Sequence, residues 1–433
     1  MDSTIIILLV SFVVLLALHT PIAIAIAVAT VLTMLATMGV DAALTTVAQR
    51  MASGLDSFAL LAIPFFILSG YLMGQGGIAR RLINFAMVLV GRFSGGLAFV
   101  NVIACALFGS ISGSAVAATS AIGGFMIPAM NKEGYDKNFN TAVTVTASTT
   151  GMLIPPSNIL IIYSLASGGV SIAALFMAGY IPGLLVALSL MLVCAVYAKK
   201  KNFPKGLKYS FAEGLHHLFA AIPSLALIII VIGGIIAGYF TPTEAGAIAV
   251  IYALVLSLGV YKEIKLEELP DILLKSVQTT AIVMLLIGAS ASMSWMLSYE
   301  FIPQSFTELA LSLSENPIMI LLLINIMLLV VGTFMDMTPA VLIFTPILMP
   351  VMAAMGISPL HFGIMMILNL SIGLCTPPVG SVLFVGCSIG KTRIGEVVKP
   401  LLPLYAAMFV CLLLVTLFPQ LSEALPRAVG LIE

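Results

Sequence analysis

The chain has 433 residues, 61% of them hydrophobic and 8% charged, with 18 basic and 18 acidic side chains. A soluble globular chain carries about 25% charged residues, so this one cannot cover itself with polar surface and reads as an all-α polytopic membrane protein. With no net charge it lacks the concentrated basic face that nucleic-acid binding needs. Its five cysteines and four histidines form no cluster, so no metal centre or disulfide framework is expected.

The opening M-D-S-T lacks the basic flank of a signal peptide, which makes the apolar segment at 4–18 a retained span. It is followed by apolar segments at 22–38 and 58–75, completing an N-terminal unit over 1–78. A second unit, 79–198, holds a polar arm near 78–93 suited to the membrane interface. It continues with an apolar segment at 97–108, a hairpin at 109–130, and long segments at 139–164 and 174–198. The basic run from Lys199 to Lys208 opens a central unit over 199–271, with apolar segments at 219–239 and 245–261. There T-P-T-E-A-G (Thr241 to Gly246) reads as a capping box. A fourth unit, 272–398, repeats the second: an apolar segment at 272–297, an arm at 299–312, an apolar segment at 316–331, a hairpin at 332–355 and a long segment at 361–388. A C-terminal helix at 399–419 lies in the last unit, 399–433. A bilayer span takes about 20 residues. The segments at 139–164 and 361–388 exceed that and carry Pro-Pro near the middle, so both are predicted to be broken helices.

The two units look like copies. One shift of 222 residues superposes Pro128 on Pro350, Gly151 on Gly373, Pro155-Pro156 on Pro377-Pro378 and Gly168 on Gly390, and sets Ser114 opposite Asp336. Paired interruptions in two halves of a membrane protein point to a transporter's binding site. With the N-terminus outside and each hairpin returning to its own side, 16 of the 18 basic residues face the cytoplasm. Only Arg50 and Arg427 stay outside, as the positive-inside rule favours. The hairpins then enter from opposite faces as an inverted repeat.

Asp336 is the sole carboxylate inside a hairpin, and a carboxylate at membrane depth is a functional-site candidate by default. A cation such as Na+ takes several oxygens, and half-helix ends leave carbonyls free. One ion site is expected from Ser110, Ser112 and Ser114 with Gly151 and Pro155. A second is expected from Gly332, Thr333 and Asp336 with Gly373 and Thr376. Ser157, Asn158, Asp336, Thr338 and Thr376 are the candidate substrate contacts. V-G-C-S-I-G-K-T (Val385 to Thr392) only mimics a phosphate loop, since Val385 stands where the first Gly must be. No nucleophile–base pair for an enzyme is present, and a channel or structural subunit is the remaining alternative class.

The F-G-S-I-S-G-S-A-V-A-A-T run, the T-P-T-E-A-G-A-I-A-V signature and the paired G-x-x-x-P-P breaks resemble the large membrane subunit of tripartite ATP-independent periplasmic (TRAP) transporters. The resemblance covers essentially the whole chain. It implies a secondary transporter of the bacterial inner membrane, driven by Na+ and moving like an elevator. It also implies two partners: a small four-helix membrane subunit, here a separate chain, and a soluble periplasmic protein that delivers a small anionic substrate. No bound cofactor beyond the coupling ion is implied. The chain looks most similar to the sialic acid members; a four-carbon dicarboxylate or another carboxylate is the alternative.

Overall fold

The computed structural model describes residues 3–204 and 210–432; Lys205 and Lys208 of the basic linker lie outside them. All the described secondary structure is helical, and eight described helices are long and apolar enough to cross a bilayer. The polytopic all-α expectation holds.

Both hairpins are longer than the sequence indicated. The first pairs Gly96–Ser112 with Ala115–Lys132, and the second pairs Pro317–Phe334 with Met337–Ala354. The apolar segments at 97–108 and 316–331 are therefore the entering limbs of the hairpins, not elements preceding them. The Gly- and Ser-rich residues after each still propagate the helix. The first limb stops only at Gly113, whose left-handed φ of 61° costs a glycine nothing. The second reverses through two extended residues, Met335 and Asp336.

The 222-residue shift now holds for helix ends as well as motifs. It carries Ser112 onto Phe334, Ala115 onto Met337, Lys132 onto Ala354, Lys137 onto Pro359 and Ile172 onto Ile394. The expected arms are helices Ile78–Val90 and Ile302–Leu313. Two helices were not expected, Val40–Leu55 and Gln420–Ala428; frequent polar residues keep both below a hydropathy threshold. The capping box is present: Glu244 N donates to Thr241 Oγ1 at 3.3 Å, and Thr241 N donates to Glu244 Oε2 at 2.8 Å. It accounts for Glu244 without a functional role.

Each long segment is broken at its Pro-Pro. Lys137–Ser148 passes through the tight turn Thr149–Met152 and resumes as Asn158–Ala166; Pro359–Leu374 resumes as Ser381–Gly390. The two broken helices run antiparallel, the start of each beside the end of the other. Lys137 Nζ donates to the Lys391 carbonyl at 2.6 Å, and the Tyr163 hydroxyl donates to the Pro359 carbonyl at 2.6 Å. Residues 132–137, the base of the first hairpin, therefore lie at one end of the bundle. Residues 354–359, the base of the second, lie at the other.

Each hairpin packs on its own break through a glycine pair. A Cβ on Gly109 would stand 2.9 Å from Gly151 Cα, and one on Gly373 would stand 2.6 Å from the Gly332 carbonyl carbon. Buried amides reinforce both contacts: Asn101 Nδ2 donates to Thr144 Oγ1 at 2.6 Å, and Asn369 Nδ2 to Asn325 Oδ1 at 2.7 Å. The helices Ile22–Thr37, Val40–Leu55, Ala62–Gln75, Pro242–Leu254 and Leu269–Tyr299 pack on one another beside this bundle.

The glycine pairs give a graded expectation. A methyl on Gly332 meets nothing nearer than 3.3 Å, whereas on Gly373 it meets backbone at 2.6 Å. Gly373→Ala should destabilise by about 1–3 kcal/mol, the usual cost of overpacking, and Gly332→Ala by less. Unfolding in mixed micelles ranks the two, and equal stability would remove the glycine contact from the fold's foundations.

Candidate functional site

The two hairpin turns open onto one cavity of about 480 Å³, within the roughly 300–1,000 Å³ of small-molecule sites. Ser112, Gly113 and Ser114 come from the first turn, Asp336 and Thr338 from the second, and Asn158 from the first break. The opposite wall is helix Ala62–Gln75 and the first half of Leu269–Tyr299, where Tyr71 Oη and Thr279 Oγ1 are 2.9 Å apart. Among the described residues the lining includes one carboxylate and no Lys, Arg or His.

Equivalent positions at the two turns behave differently. Ser114 is the N-cap of Ala115–Lys132 and accepts from Ala117 N at 3.2 Å. Asp336 is the N-cap residue of Met337–Ala354, yet its side chain makes no capping bond. Its carboxylate faces the cavity and accepts a hydrogen bond from the Ser381 hydroxyl at 3.3 Å. Capping alone therefore does not explain an acid at this depth.

Of the expected first ion set, Ser112 and Ser114 line the cavity, and Ser110 and Gly151 meet behind it. The Ser110 hydroxyl is committed to the Leu107 carbonyl at 2.8 Å. Pro155 is buried in the break. The unsatisfied oxygens are instead on the two residues after Pro156: the buried Ser157 Oγ and Asn158 Oδ1 have no hydrogen-bond partner among the described residues. A buried polar atom without a partner costs about 1–3 kcal/mol, so these two oxygens are suited to a ligand. Asn158 backs directly onto the first turn, since a Cβ on Gly113 would lie 3.0 Å from its Cγ.

Of the second set, Gly332 and Gly373 form the packing contact. The Thr333 carbonyl accepts from Val379 N at 3.2 Å and its hydroxyl donates to Val330 O at 2.7 Å. The Thr376 hydroxyl donates to Ile372 O at 2.7 Å. The carbonyls that converge are those of Leu374 and Thr376, 3.0 and 2.8 Å from where a Cβ on Gly380 would sit. With Asp336, these oxygens match the donor preference of a hard cation.

Sequence reasoning missed the wall supplied by Tyr71, Gln75 and Thr279. The signal was available, because each is polar within an apolar span. Their pairing across 208 residues is a product of the fold and is not visible in any local pattern.

The two serines of the first turn should separate by stability. Ser114→Ala removes a helix cap and should cost about 1 kcal/mol. Ser112, whose hydroxyl makes only a 3.4 Å contact to Ser114 O, should cost less than half that. Comparable losses in equilibrium unfolding would contradict the capping assignment.

Residues 9–421 match the family described as Tripartite ATP-independent periplasmic transporter, DctM component. The chain is 54% identical over 422 residues to the uncharacterized protein YgiK of Salmonella typhimurium, covering 98% of this chain and 97% of that one. It is 40% identical to the C4-dicarboxylate TRAP transporter large permease protein DctM of Rhodobacter capsulatus (93% and 94% covered). It is 42% identical to the sialic acid TRAP transporter large permease protein SiaM of Vibrio cholerae (88% and 89% covered). In fold it is similar to the YdaH transporter of Alcanivorax borkumensis, with a TM-score of 0.63, 14% identity and 88% of both chains covered. The chain belongs to the family of TRAP transporter large permeases, the DctM component.

Proposed function

We propose that this permease couples uptake of an organic acid to Na+ entry through the cavity at the hairpin turns. As a TRAP permease it serves substrate uptake at the inner membrane, and the family implies a small membrane subunit and a periplasmic binding protein beside it. The finer reading rests on one observation: the cavity offers a carboxylate and no basic side chain. An anion about 5 Å from Asp336 would be repelled by about 3 kcal/mol at an effective dielectric of 20. Cations bound beside it offset that repulsion, so ion binding must accompany substrate binding. The oxygens for two ions are those of Ser112, Ser157 and Asn158 at the first turn, and of Asp336, Leu374 and Thr376 at the second.

In this reading the helices of 3–75 and 211–299 form a fixed scaffold, and the bundle of hairpins and broken helices slides against it as an elevator. The N-terminus is periplasmic. The substrate is a polyhydroxylated monocarboxylate, sialic acid before a four-carbon dicarboxylate, because the described lining has no Arg to clamp a second carboxylate. Relatives bear both substrate names, so a thermal-shift screen of the cognate periplasmic protein decides between them. Stabilisation by succinate and not by N-acetylneuraminate would reverse the order.

In proteoliposomes with both partners, an inward Na+ gradient should drive accumulation, and accumulation that ignores the gradient would sink the proposal. Asp336→Asn should fold and lose at least about 90% of uptake, the scale of a transport step deprived of more than about 1.4 kcal/mol. Near-normal uptake by that variant would remove Asp336 from the site. Ser112→Ala should raise the Na+ needed for half-maximal uptake about threefold to tenfold, equivalent to about 1 kcal/mol of ion binding. An unchanged Na+ dependence would exclude its hydroxyl as a ligand.

A further inference from the structure

A second pocket, of about 400 Å³, lies between the outer part of helix Leu269–Tyr299, helix Val40–Leu55 and the returning limb of the second hairpin. Its character is opposite to that of the cavity at the turns. Arg50 stands at this pocket, with Ser290, Ser294 and Trp295 on one wall and Leu342 and Pro346 on the other. The Arg50 guanidinium lies over the Trp295 ring, 5.0 Å from its centroid. Trp295 stacks in turn on Tyr299, with centroids 5.2 Å apart. Among the described residues no carboxylate pairs with Arg50. Ser290 is 3% exposed, and its hydroxyl has no hydrogen-bond partner among the described residues. On the same helix, Ser292 and Ser298 return their hydroxyls to carbonyls three and four residues back. Ser290 makes no such bond.

We infer that Arg50 and Ser290 form a carboxylate-binding site on the outer half of the scaffold. This site receives the substrate's acid group when the periplasmic protein releases it. The inference rests on the uptake reading above and adds a site to it. A guanidinium over an indole ring is restrained by it, Arg50 has no ion-pair partner among the described residues, and a guanidinium presents parallel N–H donors that fit a carboxylate. The orphaned Ser290 hydroxyl supplies a further donor on the same wall. Arg50 is also one of the two basic residues that the charge bias leaves outside. Helix Leu269–Tyr299 passes both cavities: Thr279 lines the one at the turns and Ser290 the outer one. At about 1.5 Å per residue they are roughly 16 Å apart along the helix. A bundle moving outward by that distance brings the hairpin turns level with Arg50. The anion is then met by a cationic side chain at the outer pocket and by none among the residues lining the cavity at the turns, so the scaffold favours capture outside.

Trp295 is the chain's single tryptophan and so reports on the guanidinium above it. The full-length protein in detergent is titrated with N-acetylneuraminate, gluconate and succinate, with glucose as the uncharged control. At least one acid should change Trp295 emission saturably, and glucose should not. Arg50→Gln should weaken that response at least tenfold and Ser290→Ala about threefold, while Asp336→Asn retains it. A response that survives Arg50→Gln, that glucose reproduces, or that no acid elicits overturns the site. A response to phosphatidylglycerol alone would make it a lipid site and overturn it too. Uptake measured on the same preparation keeps the two claims apart. Na+-independent uptake with an Arg50-dependent emission response defeats the coupling mechanism and leaves the site standing.

Discussion

The fold depends on hiding two stretches of unwound backbone from lipid. Hydrocarbon offers no partner to a free N–H or C=O, so a helix broken at membrane depth survives only if protein closes over the break. Here each break is covered by its own hairpin, and the closure is a glycine pair: Gly109 on Gly151, Gly332 on Gly373. The limbs approach so closely that neither pair leaves ordinary room for two side chains. Buried amides, Asn101 on Thr144 and Asn369 on Asn325, fix the register of the same contacts. The central cavity, and the ion and substrate contacts proposed for it, follow from these two closures.

The repeats are alike in backbone and different in chemistry. Ser114 and Asp336 occupy the same position in the two copies, and each begins a returning limb. The serine spends its oxygen on the helix end, while the aspartate leaves its charge facing the cavity. Symmetry thus supplies two hairpins and two breaks, and a single difference at the turn supplies one carboxyl group between them. An acidic cavity suits an anionic cargo only with cations present. In the coupling proposed above, that requirement links the electrostatics of one side chain to the transporter as a whole.

Much of this was legible in the sequence because membrane insertion permits few solutions. Pro-Pro in an over-long apolar segment located both breaks, and the 222-residue shift located the paired hairpins. What was missed has physical causes. The hairpin limbs were cut short because Gly, Ser and Thr near a helix end read as interruption, although buried helices accommodate them: Ser110 and Thr333 return their hydroxyls to carbonyls three residues back. Helix Val40–Leu55 escaped notice because its polar residues lower its mean hydropathy. Several residues assigned as ion ligands by type have hydroxyls already committed to helix carbonyls, and hydrogen bonding at a break cannot be read from composition. The unsatisfied oxygens of Ser157 and Asn158 emerge only once every donor around them has been placed.

The account stands on the two hairpins entering from opposite faces and meeting at one cavity. Lys132 and Ala354 occupy equivalent, exposed positions at the two bases, and the five native cysteines are buried. Single cysteines at Lys132 and Ala354, in a chain freed of the native thiols, can be labelled with a membrane-impermeant maleimide in sealed vesicles of known orientation. The cysteine at Lys132 should react only from the cytoplasmic side and the one at Ala354 only from the periplasmic side. Labelling of both from one side would contradict the inverted repeat and the mechanism built on it.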